Sequence, residues 1–463
     1  SEPSTEPAAV YGRKARESTP RIVEIMQPVD LRQLHGRNPS RYPFLLQSTA
    51  PESQLGRYDI LFADPQSALE LDAHGNLARP NGLRGDSFLE TLDNWWQRER
   101  CKSSDQSLPF LGGWFLYLGY ELAAEIEPVL ELHADDLLPR AFAVRCTGAI
   151  IRDHVDNRCW AVSENGDTDR LVADIEQTAP APSETRCIRN TNNVEEDAPE
   201  EFLEAVERAK QHIAAGDIYQ ANLSRGWTKV VGDVDSNSIY ATLCESNPAP
   251  FAGLVRWKDT AIISSSPERL LSIRNGIAST RPIAGTRPRS DDSELDSQLS
   301  TELFAHPKER AEHVMLIDLE RNDLGRICDP GTVEVDEMMV LESYAHVHHI
   351  VSNVRGRLRS HVTPGDAIRA VFPGGTITGC PKVRCMQIIA ELEHAARGAY
   401  TGSFGYLNRD GSMDLNILIR TMVLRGETLR LRAGSGIVAD SVPEAELEET
   451  RAKAEGMLRS LQP

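Results

Sequence analysis

The sequence predicts an α+β fold, and three observations carry that reading. The stretch SFGYLNRDGSMDLNILIRTMVLRGETLRLRAGSGIVADS, 403 to 441, is a run of β-type segments joined by short turns at Arg409-Asp410-Gly411 and Arg425-Gly426. Helical periodicity is confined to separate stretches such as EEFLEAVERAKQHIAAGD. Hairpins mixed with segregated helices, without regular strand–helix alternation, favour α+β over a parallel sheet.

The elements follow in order. Residues 1 to 20 are polar and rich in Pro, Ser and Glu, so an only partly ordered tail is expected. YDILFADP (58–65) and LGGWFLYLGYEL (111–122) read as strands, and AFAVRCTGAIIRD with RCWAVSE reads as a β pair. A helix is expected over Asp169 to Glu176. The segment EQTAPAPSETRCIRNTNNVEEDAPEE then has no apolar periodicity. It divides an N-terminal region, 21–175, from a C-terminal region, 199–463, through a linker, 176–198.

Beyond the linker, a helix from about Pro199 places Phe202, Val206, Ala209 and Ile213 on one face and stops at Gly216, a C-cap. Strands follow at AGLVRWKD and AIISSSPERLLSIRNG. In PKERAEHVMLIDLERND, 307 to 323, Pro307 suits a first turn, and Ala311, Val314, Met315 and Leu319 are expected to face a core. A last helix starts near Pro443.

A chain of 463 residues can bury a sizeable core, and its formal charge of −19 argues against general affinity for nucleic acid. An anionic ligand therefore needs a local cationic pocket. The eight cysteines show no CxxC pair or metal-type spacing, so they read as free buried thiols of a reducing cytoplasm. The N-terminal stretch lacks a signal-peptide layout, and no apolar run approaches the roughly 18 residues that span a bilayer. No membrane association is expected.

Three features carry chemistry. Glu309 and Glu312 lie one helical turn apart, as do Glu446 and Glu449 in the last helix. Brought together, the two pairs would offer hard oxygen ligands to Mg²⁺, although surface helices commonly carry such glutamates and spacing alone does not decide. In AGSGIVADS, Gly434 and Gly436 could turn backbone N–H groups toward an anion, or could simply form a hairpin turn. Arg420, among apolar neighbours in ILIRTM, is read as a strand residue whose guanidinium needs a carboxylate, either the protein's own or a bound one.

The ordered series GDIYQANLSR, SSSPERLL, RPIAGTRPR, KERAEHVMLIDLERNDLGR, HHIVS, FPGGTITGCPKVRCMQIIAELE, GAYTGSFGY and AGSGIVADSVPEAELEET resembles the chorismate-utilising enzymes. The resemblance covers about 200 to 460 densely. It implies an anthranilate synthase component I-like fold, with an antiparallel β-sandwich core and helices outside. It further implies Mg²⁺-dependent displacement of the chorismate 4-hydroxyl.

Residue by residue, the resemblance makes Glu312 and Glu449 the metal ligands, with Glu309 and Glu446 supporting them. It assigns Gly285, Thr286, Gly434, Ser435 and Gly436 to the ring carboxylate region, Tyr400 and Arg420 to the enolpyruvyl carboxylate, and Thr376 to the substrate. Glu268 matches the general acid for the departing hydroxyl, a role that burial would serve by keeping its carboxyl protonated. Gln220, His349 and Lys382 join it as catalytic residues. Isochorismate and salicylate synthases carry a water-activating lysine where this chain has Gln220, which cannot act as a base. Ammonia is therefore the implied nucleophile, delivered by a separate glutamine amidotransferase subunit.

Within the family, Ala284 of PIAGT resembles the anthranilate-forming members, because aminodeoxychorismate synthases often carry a nucleophilic lysine there. The segments GDIYQANLSR, GRYDILFADP, FLGGWFLYLGYELAAEIEP and FPGGTITGCPK resemble the aminodeoxychorismate-forming members, and FLLQS departs from the LLES pattern linked to tryptophan feedback. Dispersed segments outweigh one side chain. The expected activity is therefore aminodeoxychorismate synthase component I, whose product a separate aminodeoxychorismate lyase would consume. Anthranilate synthase component I is the second reading, and a non-catalytic chorismate-binding homologue the third.

Overall fold

A computed structural model describes residues 19–50, 55–102, 107–178, 194–305, 307–343 and 347–461. The side chains of Ala284, Pro288, Phe304, Pro307, Lys308 and Glu309 lie outside the described set. So do the expected tail up to residue 18 and positions 179–193 of the expected linker.

The long strand Ala141–Asp153 is the hub of the sheet. On one side it pairs with Tyr58–Leu71, and the pairing continues through Phe44–Gln47, Phe251–Trp257, Thr260–Ser266, Thr421–Arg425 and Thr428–Ile437 to Gln220–Val230. On the other side it pairs with Gly113–Leu118. From there the second arm runs through Ser403–Asn408, Met413–Asn416, Arg269–Arg274 and Ile277–Arg281 to Val347–Arg357, which also pairs with Ile283–Pro288 and Glu334–Ser343. Every one of these pairings is antiparallel. Strands from before the linker thus pair directly with strands from after it.

The arms fold over one another. Gly253 of the first arm has no side chain because the Phe404 ring of the second arm lies where its Cβ would sit, 2.6 Å from Cζ. The interior between the arms is filled by Phe44, Phe62, Phe115, Phe142, Val255, Ile262 and Phe404, with the Phe44 and Phe115 rings stacked at 4.2 Å. Side chains alternate across a strand, so Leu254 and Ile263 point outward. There they pack with Leu34, Leu171, Tyr240 and Met457 from four covering helices. On the second arm Leu271, Met413 and Leu415 meet Phe88, Ile317 and Ile368 from three more. The result is the expected α+β sandwich with helices outside.

Most predicted elements appear. Helices occupy Thr168–Gln177, Pro199–Ala214, Pro307–Gly325 and Pro443–Leu458, and Gly216 ends the second with φ +81°. The core face of Pro307–Gly325 differs from expectation. Ala311 and Val314 are exposed, whereas His313, Leu316, Ile317, Glu320, Asp323 and Leu324 are buried. Polar residues occupy part of the inward stripe, and that disguises its period: His313 reaches the Ser352 hydroxyl at 2.6 Å. No helix among the described residues is long and apolar enough to cross a membrane.

Candidate active site

Pro267 follows the strand Thr260–Ser266 and turns the chain so that Glu268 enters the interior. The turn is locked from both sides. The Glu268 N–H donates to Ser266 Oγ at 3.3 Å, and the Ile417 N–H donates to the Glu268 carbonyl at 3.0 Å. The side chain is 4% exposed. Burial pushes its carboxyl up to about 8, and the neighbouring Glu320 adds to this. The Thr376 hydroxyl and the Ile283 N–H pull the other way and are outweighed. At neutral pH Glu268 therefore carries a proton that it can give.

Next to Ile283, the strand Ile283–Pro288 is bulged against Val347–Arg357: Ala284 pairs with Ile350 and Thr286 with His349, leaving Gly285 unpaired between them. Gly285 has φ +64°, a conformation suited to glycine. The bulge aims Thr286 at the imidazole, with Oγ1 2.9 Å from Nδ1. Burial, followed by the nearby Arg420 charge, depresses His349 to about 3, so its ring is neutral.

Arg420 is not in a strand. It occupies a bend with φ +51° just before Thr421–Arg425, and its carbonyl accepts from the Ser265 N–H at 3.1 Å. That kink turns the guanidinium toward His349 rather than into the strand ladder. Arg420 is half-buried, burial lowers its pKa, and its guanidinium makes no ion pair or hydrogen bond among the described residues. Of the two partners left open by the sequence, a protein carboxylate is absent among those residues. A desolvated cation in this state suits a bound carboxylate.

Gly434 and Gly436 form no turn. They lie within Thr428–Ile437, opposite Ser224 and Asn222. A Cβ on Gly434 would sit 2.5 Å from Tyr400 Oη and 2.6 Å from Asn222 Oδ1, and one on Gly436 would sit 2.8 Å from Gln220 Nε2. The glycines thus clear space for three polar side-chain ends on one face of the strand. Ser435 points to the last helix, where its hydroxyl donates to Glu446. Tyr400 is buried, and burial pushes its phenol up to about 12.

These groups form one neighbourhood. Thr376 faces Glu268, the Thr378 carbonyl two residues on accepts from Asn222 N–H at 2.8 Å, and the Leu418 carbonyl, two residues before Arg420, accepts from Thr401 N–H at 2.7 Å beside Tyr400. Lys382 is engaged elsewhere: its ammonium donates to Asp323 Oδ2 at 2.6 Å and lies 3.4 Å from the Val371 carbonyl.

Three of the four glutamates expected at the metal site have described side chains. Glu449 pairs with Lys453 at 2.7 Å, Glu446 accepts from Ser435, and Glu312 is half-buried on its helix. Glu309 lies outside the described side chains. Among the described residues no group of three or more His, Cys, Asp or Glu is set to hold a metal. The carboxylate donors nevertheless suit Mg²⁺, which commonly takes only one or two protein carboxylates beside water and substrate oxygens.

Sequence reasoning missed several groups. Lys453 donates to the Gly434 carbonyl at 2.9 Å, so a cation of the last helix touches the glycine strand. Asn222 shares the glycine face. Glu320, which burial pushes up to about 7, contacts Thr280 and the Gly375 N–H. Asn222 and Lys453 were visible only as polar residues at ordinary spacing, whereas Glu320 signalled itself weakly as a carboxylate on an apolar stripe. A cavity of about 370 Å³ lined by Arg57, Tyr58, Arg269 and Tyr406 opens elsewhere and includes none of the expected site residues. There Arg57 is paired with Asp153 and Arg269 with Asp414.

The family model described as chorismate binding enzyme matches residues 41–459. The chain is 41% identical over 431 residues to an anthranilate synthase component I-like protein of Synechocystis sp., covering 90% of this chain and 86% of that one. It is 38% identical over 426 residues to aminodeoxychorismate synthase component 1 of Bacillus subtilis, covering 88% and 90%. The crystal structure of anthranilate synthase component I from Streptococcus pneumoniae superposes with a TM-score of 0.77 at 33% identity, over 88% of this chain and 93% of that one. Matched over 41–459 by that family model and 38–41% identical to these two relatives over about nine-tenths of its length, the chain belongs to the chorismate binding enzyme family.

Proposed function

We propose that the chain is aminodeoxychorismate synthase component I, which aminates chorismate to 4-amino-4-deoxychorismate with ammonia from a separate glutaminase subunit, toward 4-aminobenzoate and folate. The observation that carries the reading is the Arg420 guanidinium, unpaired among the described residues, beside a neutral His349 and in the same interior neighbourhood as a proton-bearing Glu268. Chorismate is a dianion that must lose a hydroxyl, and these groups match its two needs: a cation for a carboxylate and an acid for the leaving oxygen.

In this reading Arg420 and Tyr400 hold the enolpyruvyl carboxylate, while the backbone at Gly285-Thr286 and Gly434 to Gly436 borders the ring carboxylate. Glu312 and Glu449, supported by Glu309 and Glu446, would hold a magnesium ion that neutralises that carboxylate. Ammonia adds at ring carbon 2 as the C4–O bond breaks, and Glu268 gives its proton to the hydroxyl, which leaves as water. Glu268 recovers a proton from the ammonium adduct. A second ammonia then adds at carbon 4 while the carbon 2 amine takes up a proton and leaves as ammonia, and the new carbon 4 ammonium gives up one proton to yield the 4-amino product. Gln220 supplies no base, which favours ammonia over water as the nucleophile. The free thiols of the described cysteines suit a cytoplasmic setting.

Anthranilate synthase component I is the second reading, favoured by Ala284 and by relatives of that name. Incubating purified protein with chorismate, Mg²⁺ and ammonium separates the two. Formation of 4-aminobenzoate only after a separate aminodeoxychorismate lyase is added supports the first reading. Direct appearance of fluorescent anthranilate with pyruvate overturns it in favour of the second. No turnover, with or without the glutaminase partner, leaves a non-catalytic chorismate-binding protein.

A further inference from the structure

Arg397 belongs to none of the groups assigned above, yet it touches three of the segments that carry them. Its side chain is 1% exposed. Its five N–H donors are all used: Nε donates to Glu393 at 3.1 Å, Nη1 to the Ile377 carbonyl at 2.9 Å and Thr401 Oγ1 at 3.3 Å, and Nη2 to the Asn222 carbonyl at 2.7 Å and Glu393 at 2.7 Å. No donor remains for a ligand. The planar fork instead ties together the strand that carries Gln220 and Asn222, the turn that carries Thr376, and the loop that carries Tyr400.

The faces of the guanidinium are also occupied. Its carbon lies 5.5 Å from the Tyr400 ring centre and 4.9 Å from that of Tyr120. Tyr120 and the adjacent Glu121 come from the N-terminal region. The buried Glu121 carboxylate accepts the backbone N–H of Arg397 at 2.7 Å and of Gly398 at 3.1 Å, and so fastens the start of the Tyr400 loop. Glu393, 2% exposed, keeps its carboxyl ionised despite burial through the charges of Arg397 and Arg432. Arg432 in turn reaches Ser224 on the same strand as Asn222. A charged network this deep is costly unless fully bonded, and each member here is bonded.

We propose that Arg397 is a positioning residue for the substrate pocket, setting Tyr400, Asn222 and the Thr376 turn relative to one another, and that Tyr120 and Glu121 are the N-terminal region's contribution to that pocket. The inference rests on the reading of the site as a chorismate pocket. It predicts a specific kinetic signature, because the three segments border the substrate while Arg397 does not. A lysine keeps the charge but cannot hold three acceptors in one plane.

The test is steady-state kinetics of the full chain with chorismate and ammonium chloride, comparing wild type with Arg397→Lys and Glu121→Gln, alongside circular dichroism. Arg397→Lys is expected to raise the KM for chorismate about tenfold and leave the KM for ammonium within about twofold. Glu121→Gln should shift the chorismate KM in the same direction by about threefold. A purely structural role would lower the active fraction, and so kcat, with both KM values unchanged. An unaltered chorismate KM in Arg397→Lys, or in Glu121→Gln should the first variant fail to fold, overturns the inference while the chorismate reading stands. A wild-type protein that neither consumes nor binds chorismate overturns both.

Discussion

The Thr286 hydroxyl stands 2.9 Å from Nδ1 of His349 because the residue before it, Gly285, is squeezed out of the strand pairing at φ +64°. One bulge thus decides which side chain the imidazole meets. Gly285→Ala forces a Cβ into left-handed backbone, at a cost of about 1–2 kcal/mol, and shifts Thr286 away from the ring. The expected outcome is an unfolding free energy, from urea melts, lowered by that amount, with a raised KM for chorismate. An alanine variant with unchanged melt and kinetics would show that the bulge is not needed.

Glu268 makes an opposite demand on stability. Its folded value near 8 lies above the 4.5 of an exposed glutamate, so between those limits the folded chain holds a proton that the unfolded chain releases. Stability contributed by this group is complete below about 4.5 and is lost as pH rises through 8. Glu268→Gln removes that dependence. Its melting temperature relative to wild type should therefore climb from pH 5 to pH 8, while kcat falls by about 10²–10⁴. In the wild type, kcat should decline as pH rises through about 8.

Arg420 also trades stability for binding. Its guanidinium has no partner among the described residues, so Arg420→Met strands no carboxylate there and relieves a desolvated charge. Thermal melts should show equal or higher stability. The KM for chorismate should rise roughly 10–100-fold, corresponding to a charge-assisted contact of about 1.5–3 kcal/mol. Loss of stability in this variant would mean that the arginine serves the fold.

Lys382 shows the reverse pattern. Its ammonium sits on buried Asp323, which neighbours Glu320, another buried acid. Lys382→Met leaves Asp323 without its cation and should cost about 3–5 kcal/mol. The loss should be larger at pH 8 than at pH 5, where protonation of the acids relieves it. Adding Asp323→Asn should recover most of that stability in urea melts. Recovery of kcat in the same double variant would mark the lysine's contribution as structural, whereas continued loss of kcat would place it in the chemistry.

Much of the fold was legible because local chemistry agreed with it. Pro199 and Gly216 bracket a helix, Gly411 and Gly426 take positive φ in hairpin turns, and Pro443 opens the last helix. The helix Pro307–Gly325 was legible in extent but not in orientation, since His313 and Glu320 occupy buried positions where periodicity expects apolar residues. The Ser352 hydroxyl that meets His313, and Thr280 and Gly375 beside Glu320, lie far away in sequence.

The amino-acid order by itself determined the α+β class, the family motifs and the identity of the chemical groups, because turns, caps and periodicity depend on near neighbours. Only the tertiary structure decided their states. It withheld any described protein partner from Arg420, kept a proton on Glu268, engaged Lys382 with Asp323, and set Gly434 and Gly436 within a strand instead of a turn. Each of those outcomes depends on desolvation and on contacts between residues tens to hundreds of positions apart, and no local pattern encodes them.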